Sequence, residues 1–229
     1  RSVPDTDWHV DRLYDFLDEM GANVIRATHS RYVIDLNRPP DGQLLYPGAS
    51  NTELCPTSLF DGGPIYGSGR APDEAVVADR LANYWRPYHD RLSMELAALK
   101  RRFGFALLFD AHSIRSVVPR FFEGRLPDIN LGTGGGGSAA AGLAATLIEA
   151  AADAEGYSSV LNGRFKGGYI TRQYGRPTDR VHAVQLELSQ ATYMDETPPF
   201  TFREDLAKQV RPRLRAIVAA MLAWGMARA

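Results

Sequence analysis

Residues 104–110, Gly-Phe-Ala-Leu-Leu-Phe-Asp, form an unbroken apolar run closed by an acid. A run of this kind reads as a strand covered on both faces of a parallel sheet, since a half-exposed strand would alternate apolar with polar residues. Residues 181–188 form a second strong strand, and residues 127–131, 23–27 and 32–36 read as shorter ones. Between them the spacing is helical. Val10, Leu13, Tyr14, Leu17 and Met20 fall on one helix face, with Gly21 as the stop. Residues 72–102 read as a helix that Pro87 kinks or splits, residues 139–155 as an Ala-rich helix, and residues 203–224 as a helix that Pro212 interrupts. Residues 43–69 are rich in Gly, Pro, Ser and Thr without a period, which reads as a functional loop or lid. Strands alternating with helices give an α/β fold, a mixed and largely parallel sheet with helices on both faces. In such sheets ligands sit at the carboxyl ends of strands.

Composition narrows the function. With 26 Lys+Arg against 27 Asp+Glu the formal net charge is -1, so the basic face that a nucleic-acid partner requires is not expected. The single Cys55 rules out an internal disulfide framework and a cysteine-rich zinc site, and points to a reducing, cytoplasmic setting. No apolar run reaches the ~18 residues that span a membrane, and no signal-peptide pattern opens the chain. The 229 residues are expected to form one domain, 1–229. The oligomeric state is open.

Five clusters could carry chemistry. Asp110-Ala111-His112-Ser113 follows the first buried strand, so His112 is delivered to the ligand edge, either as a metal ligand or as a hydrogen-bonded loop histidine. Asp7 and Asp11, in Asp5-Thr6-Asp7-Trp8-His9-Val10-Asp11, share a face if a helix begins at Asp7, and suit either metal binding or helix capping. Arg31, Asn37 and Arg38 flank the strand at 32–36. A guanidinium fork beside an amide suits bidentate capture of a carboxylate, while the plainer reading is an Arg-Asp pair holding a turn. Glu187 lies late in a buried strand, where an unpaired charge costs several kcal/mol. It is therefore paired, beside a metal, or a general base of raised pKa. Residues 163–172 are basic, Gly-hinged and aromatic, and could supply a mobile anion-binding loop. The Gly134–Gly137 run lacks the Gly-Lys-Ser/Thr of a P-loop, and no Gly-x-Ser-x-Gly elbow occurs.

In order along the chain stand the acid cluster at Asp7, Ser30-Arg31-Tyr32-Val33-Ile34-Asp35-Leu36-Asn37-Arg38, Leu45-Tyr46-Pro47-Gly48, Cys55-Pro56-Thr57 and Tyr84-Trp85-Arg86-Pro87-Tyr88-His89. Asp110-Ala111-His112-Ser113, Asn162-Gly163-Arg164-Phe165-Lys166-Gly167-Gly168-Tyr169 and Gln185-Leu186-Glu187-Leu188 follow. Over nearly its whole length the chain thereby resembles the N-formylglutamate amidohydrolase family, itself similar in architecture to zinc carboxypeptidases and aspartoacylase. The resemblance implies hydrolysis of N-formyl-L-glutamate to formate and L-glutamate, the last step of a histidine degradation route, with one divalent ion, zinc or cobalt. It implies Asp7 and His112 as metal ligands and Glu187 as general base and later acid. It gives Asn37 and Arg38 to a substrate carboxylate, Arg31 and Arg172 to the second carboxylate, and Asp11 a supporting place. The family pattern also carries an earlier strand ending in Pro-His-x-Gly, whose His resembles a metal ligand. The chain opens after that point, so an upstream strand is expected to be missing. The other readings are an N-acyl amino-acid deacylase of aspartoacylase type and a non-catalytic amino-acid-binding remnant.

Overall fold

The computed structural model describes residues 3–48, 50–152 and 156–228. In chain order the elements are α1 (Val10–Leu13), α2 (Glu74–Arg80), a π-helical segment (Leu81–Trp85), α3 (Arg86–Phe103), β1 (Ala106–Ile114), β2 (Ile129–Gly132), α4 (Ala141–Ala152), β3 (Ser159–Leu161), α5 (Tyr169–Tyr174), β4 (Val181–Ser189) and α6 (Glu204–Met226). The strands form one sheet in the order β1-β4-β2-β3. β1 runs parallel to β4, and β2 parallel to β3, while β2 and β4 are antiparallel. The mixed, largely parallel α/β sheet is thus present, with β4 in its interior.

Side chains alternate along a strand, and the two faces of β1 and β4 have different fates. One face is mainly apolar, with His182 and Ser113 at its two ends: Leu107, Phe109 and Ala111 of β1 and Val184, Leu186 and Leu188 of β4 join the main core with Leu143 and Leu147 of α4 and Leu214 and Ile217 of α6. The opposite face begins apolar, where Ala106, Leu108 and Val181 pack on Leu92 and Leu96 of α3 and on Ile170 and Tyr174 of α5. It then turns polar at the carboxyl ends, with Asp110 paired to Gln185 and His112 to Glu187. The run at 104–110 is therefore covered on both faces only in its first half.

Several local expectations change. Residues 23–27 and 32–36 form no strand; in the second stretch polar side chains and turn bonds capture the backbone. The Asp35 carboxylate accepts from the Asn37 amide at 2.9 Å, Asp35 N donates to Leu54 O at 2.7 Å, and Arg38 N to Asp35 O at 3.1 Å. Such Asx and turn bonds compete with a ladder. The helix foreseen from Asp7 begins only at Val10, after His9 adopts a positive φ of 60°. Pro87 does not end the helical path; it falls in the first turn of α3, directly after the π-helical residues, and the backbone stays right-handed helical through Trp85 and Arg86. The π-helical residues just before it absorb the change in register. Pro212 likewise lies inside an uninterrupted α6. α4 ends at Ala152, and residues 153–155 of the expected helix lie outside the described residues. β3 and α5 are further elements that periodicity does not reveal, at three and six residues too short to carry one.

Candidate active site

An open cavity of about 650 Å³ lies at the carboxyl ends of β1 and β4, and His112, Glu187, Arg31, Asn37, Arg38 and Arg115 are among its walls. Tyr46 and Phe60 from the irregular segment 43–69 close one side of it.

Glu187 is only 8% exposed. Its Oε2 accepts a hydrogen bond from Gln185 Nε2 at 3.2 Å, two residues earlier on the same face. Burial pushes its carboxyl up to about 7, with the charge of His112 opposing and those of Asp7 and Asp110 adding. That pKa is the range in which a carboxylate can take and return a proton near neutrality.

His112 stands beside Glu187 in the sheet register. Its Nε2 lies 3.0 Å from Asp110 Oδ1 and its Nδ1 lies 3.4 Å from Asp7 Oδ2. Burial alone would lower the imidazole pKa, but Asp110 and Asp7 outweigh it and hold it well above the usual value. Asn37 Nδ2 is also 3.1 Å from Nε2. The Asn37 amide is oriented by Ile170 N, which donates to its Oδ1 at 2.8 Å, so Nδ2 can only donate. With its pKa raised, the imidazole carries a proton on both nitrogens, Nε2 facing Asp110 and Nδ1 facing Asp7.

Asp7 is fixed by its other oxygen, which accepts from Ser113 N at 2.9 Å, and 32% of its side chain stays accessible. Burial would raise its pKa, yet the His112 contact and the Arg31 charge lower it. Two zinc ligands at tetrahedral angles and about 2.0–2.2 Å from the ion sit about 3.4 Å apart, the spacing of Asp7 Oδ2 and His112 Nδ1. Asp110 behind Nε2 is the usual arrangement for orienting a ligating imidazole. The pair fits two positions of a divalent ion. Among the described residues no group of three His, Cys, Asp or Glu converges as a metal site. Asp11, by contrast, lies at the surface in an ion pair with Arg26 at 3.5 Å, its side chain 54% exposed, and takes no part here.

The arginines differ in how many donors they keep. Arg38 gives Nε to Thr52 O, one Nη1 proton to Asn37 O and one Nη2 proton to Thr52 Oγ1. Of its five N–H groups, that leaves two. Arg31 touches Asp7 and Asp35 only at 3.9 and 3.8 Å, which are ion-pair rather than hydrogen-bond distances. Arg172 is turned elsewhere: its Nε donates to Gly167 O at 2.9 Å and its Nη1 to Leu45 O at 3.1 Å. It therefore holds the 43–69 segment against the turn before α5, and is not among the cavity walls. Residues 163–172 do not form one basic loop, since Tyr169 already begins α5.

Three contributors lie beyond the sequence candidates. Gln185 ties Glu187, the Gly168 amide at 2.8 Å and the Asn37 amide at 3.4 Å together. Its position two before Glu187, hence on the same face, is the signal that could have found it. Asp35, 2% exposed, balances Arg31 and Arg38. Arg115 lies one residue past β1 and three past His112, just outside the 110–113 cluster, and nothing in its own spacing marked it.

A mixed α/β sheet with a buried carboxylate beside an imidazole at its carboxyl edge, ringed by arginines, defines an α/β enzyme with an acid–base site at its topological opening. The sequence matches the N-formylglutamate amidohydrolase family over residues 1–194, and the chain belongs to that family. It is an amidohydrolase. It is 57% identical to the N-formylglutamate deformylase of Pseudomonas aeruginosa over 228 residues, which cover 100% of this chain and 85% of that protein. It is 55% identical to the deformylase of Pseudomonas putida, with the same coverage. Among solved structures, the N-formylglutamate amidohydrolase from Ralstonia eutropha JMP134 matches with a TM-score of 0.79 and 26% identity, over 94% of this chain and 82% of that one. A gene product from Agrobacterium tumefaciens shares the fold at a TM-score of 0.58 and 21% identity, over 85% of this chain and 68% of that one.

Proposed function

We propose that the protein hydrolyses N-formyl-L-glutamate to formate and L-glutamate, with Glu187 as the group that moves the proton. The observation that carries this reading is the buried Glu187 carboxyl, raised to about 7, beside His112 on the wall of an arginine-rimmed cavity. Gln185 holds Oε2 of Glu187, which leaves Oε1 to take a proton from an attacking water. The same oxygen then returns it to the amide nitrogen as the C–N bond breaks, so that water and formamide become formate and a free amine. Asn37 and Arg38 hold a substrate carboxylate with the donors Arg38 keeps, and Arg31 adds positive charge. Fixing the substrate's anionic end sets the formyl carbon against the nucleophile.

A divalent ion belongs to this reading, with Asp7 and His112 as two of its ligands. When bound, such an ion polarises an amide carbonyl and brings the pKa of water toward neutrality. A cytoplasmic setting is supported by the lone, buried cysteine. The closing step of a histidine degradation route, which the family resemblance implies, belongs to the same reading.

The test is release of formate from N-formyl-L-glutamate and of acetate from N-acetyl-L-glutamate, with added zinc, with added cobalt and with a chelator. The reading expects release of formate, faster than of acetate, and its loss on chelation. No release with either metal overturns the assigned reaction, and release untouched by a chelator overturns the metal.

A further inference from the structure

The cavity has three arginines in its walls, Arg31, Arg38 and Arg115, against two acids, Asp5 and Glu187. A substrate with one carboxylate would leave part of this positive charge unmatched. Arg38 has three donors tied to Thr52 and Asn37, and Arg31 already lies between two carboxylates, those of Asp7 and Asp35. Arg115 is in a different condition. Its one ion-pair partner among the described residues is Asp5, whose Oδ1 is 3.7 Å from Nη2, beyond hydrogen-bond reach. Asp5 Oδ1 and Arg115 Nε are both buried without a hydrogen-bond partner. The other Asp5 oxygen is fully engaged, accepting from Tyr32 Oη at 2.7 Å and from Phe60 N at 2.8 Å. Asp5 is thereby locked in place, close enough to hold the guanidinium by charge and too far to occupy its donors. A guanidinium on a cavity wall with no hydrogen-bond partner of its own among the described residues, its side chain 28% exposed, keeps its terminal N–H groups for a ligand that supplies the acceptor.

We propose that Arg115 binds the side-chain carboxylate of the substrate and so sets specificity for a dicarboxylate over an N-formyl amino acid with a neutral side chain. This rests on the N-formylglutamate reading above. A planar fork on a half-buried wall pairs bidentately with a carboxylate, whereas an uncharged side chain would leave Arg115 without an acceptor. Arg115 is three residues past His112, just beyond the strand that carries it, so it reaches the substrate from the same edge as the reacting centre.

The experiment compares kcat/KM for N-formyl-L-glutamate and N-formyl-L-norvaline, which lacks the side-chain carboxylate, in the parent protein, in Arg115→Ala and in the double variant Asp5→Asn/Arg115→Gln. The double variant removes both charges of the pair and so guards against misfolding caused by an orphaned Asp5. Loss of a charge-assisted contact corresponds to about a tenfold to hundredfold fall in the glutamate-to-norvaline ratio, seen mainly in KM. A ratio unchanged in folded variants overturns the role of Arg115 while leaving the reaction intact. If the parent hydrolyses neither substrate, the reaction itself is wrong. Calorimetric binding of glutarate against butyrate then decides the anchor alone. A preference for glutarate lost in both variants supports it, and a preference absent from the parent or kept in the variants overturns it.

Discussion

His89 lies with 4% exposure between two partners, its Nε2 donating to Leu36 O at 2.9 Å and its Nδ1 accepting from the Tyr174 hydroxyl at 2.9 Å. Burial drives its pKa down to about 4, against partial opposition from the Leu36 carbonyl and the charges of Asp110 and Asp90. The unfolded chain, with His89 near 6.5, therefore binds a proton at pH 5 that the native state refuses. Stability from this residue is complete above about 6.5 and declines as pH falls toward 4, by about 2 kcal/mol between pH 7.5 and 5. Urea midpoints at those two pH values, compared with His89→Gln, check this. The parent should lose more stability than the variant by that amount, and an equal loss would rule His89 out as the cause. Nothing in the sequence marked His89 as more than part of an aromatic cluster. Its role depends on the carbonyl of Leu36, far away along the chain.

The helical stretch from α2 to α3 works as a clamp on the segment that bears Asn37. Arg80 Nη1 donates to Val33 O at 2.8 Å, Trp85 Nε1 to Arg38 O at 3.1 Å, and His89 to Leu36 O. Trp85 and His89 are one turn apart, and their rings stack with centroids at 3.7 Å. Together they hold the carbonyls on both sides of Asn37. This is why residues 32–38 can present Asn37 and Arg38 without belonging to a strand. The sequence showed the side chains worth attention there but placed them at a strand's end. Asx and turn bonds decided otherwise, and they depend on Leu54 and the clamp rather than on local propensity. From the other side, Gly168 at the start of α5 approaches Asn37 so closely that an added Cβ would lie 2.4 Å from its amide. Gly168→Ala must displace the Asn37 side chain. The variant should keep its fold by circular dichroism and raise KM for N-formyl-L-glutamate at least tenfold, because a displaced anchor weakens substrate binding. An unchanged KM would show that Asn37 does not touch substrate.

At the scale of the molecule, the division of labour lies between the two faces of β1 and β4. The two buried strands and the helices α4 and α6 were readable from composition and period alone, as was the placing of the acid-bearing strand ends at a ligand edge, whereas the division into an apolar and a polar face was not. The antiparallel entry of β2 beside β4 was not readable, since four residues carry no directional signal. The convergence of Asp7, His112 and Glu187 was likewise invisible to spacing, because it joins residues 75 to 180 positions apart; only the resemblance of the ordered motifs linked them. Arg172 shows the opposite failure, a cation in a plausible motif whose donors the fold directs to the Gly167 and Leu45 carbonyls. In the proposed reaction the buried carboxyl of Glu187 moves the proton. The most direct test is the turnover of N-formyl-L-glutamate by Glu187→Gln, with substrate affinity measured in parallel. Loss of the base should lower kcat by about a hundredfold to ten-thousandfold while affinity stays within a few-fold. A kcat within threefold of the parent would contradict the account.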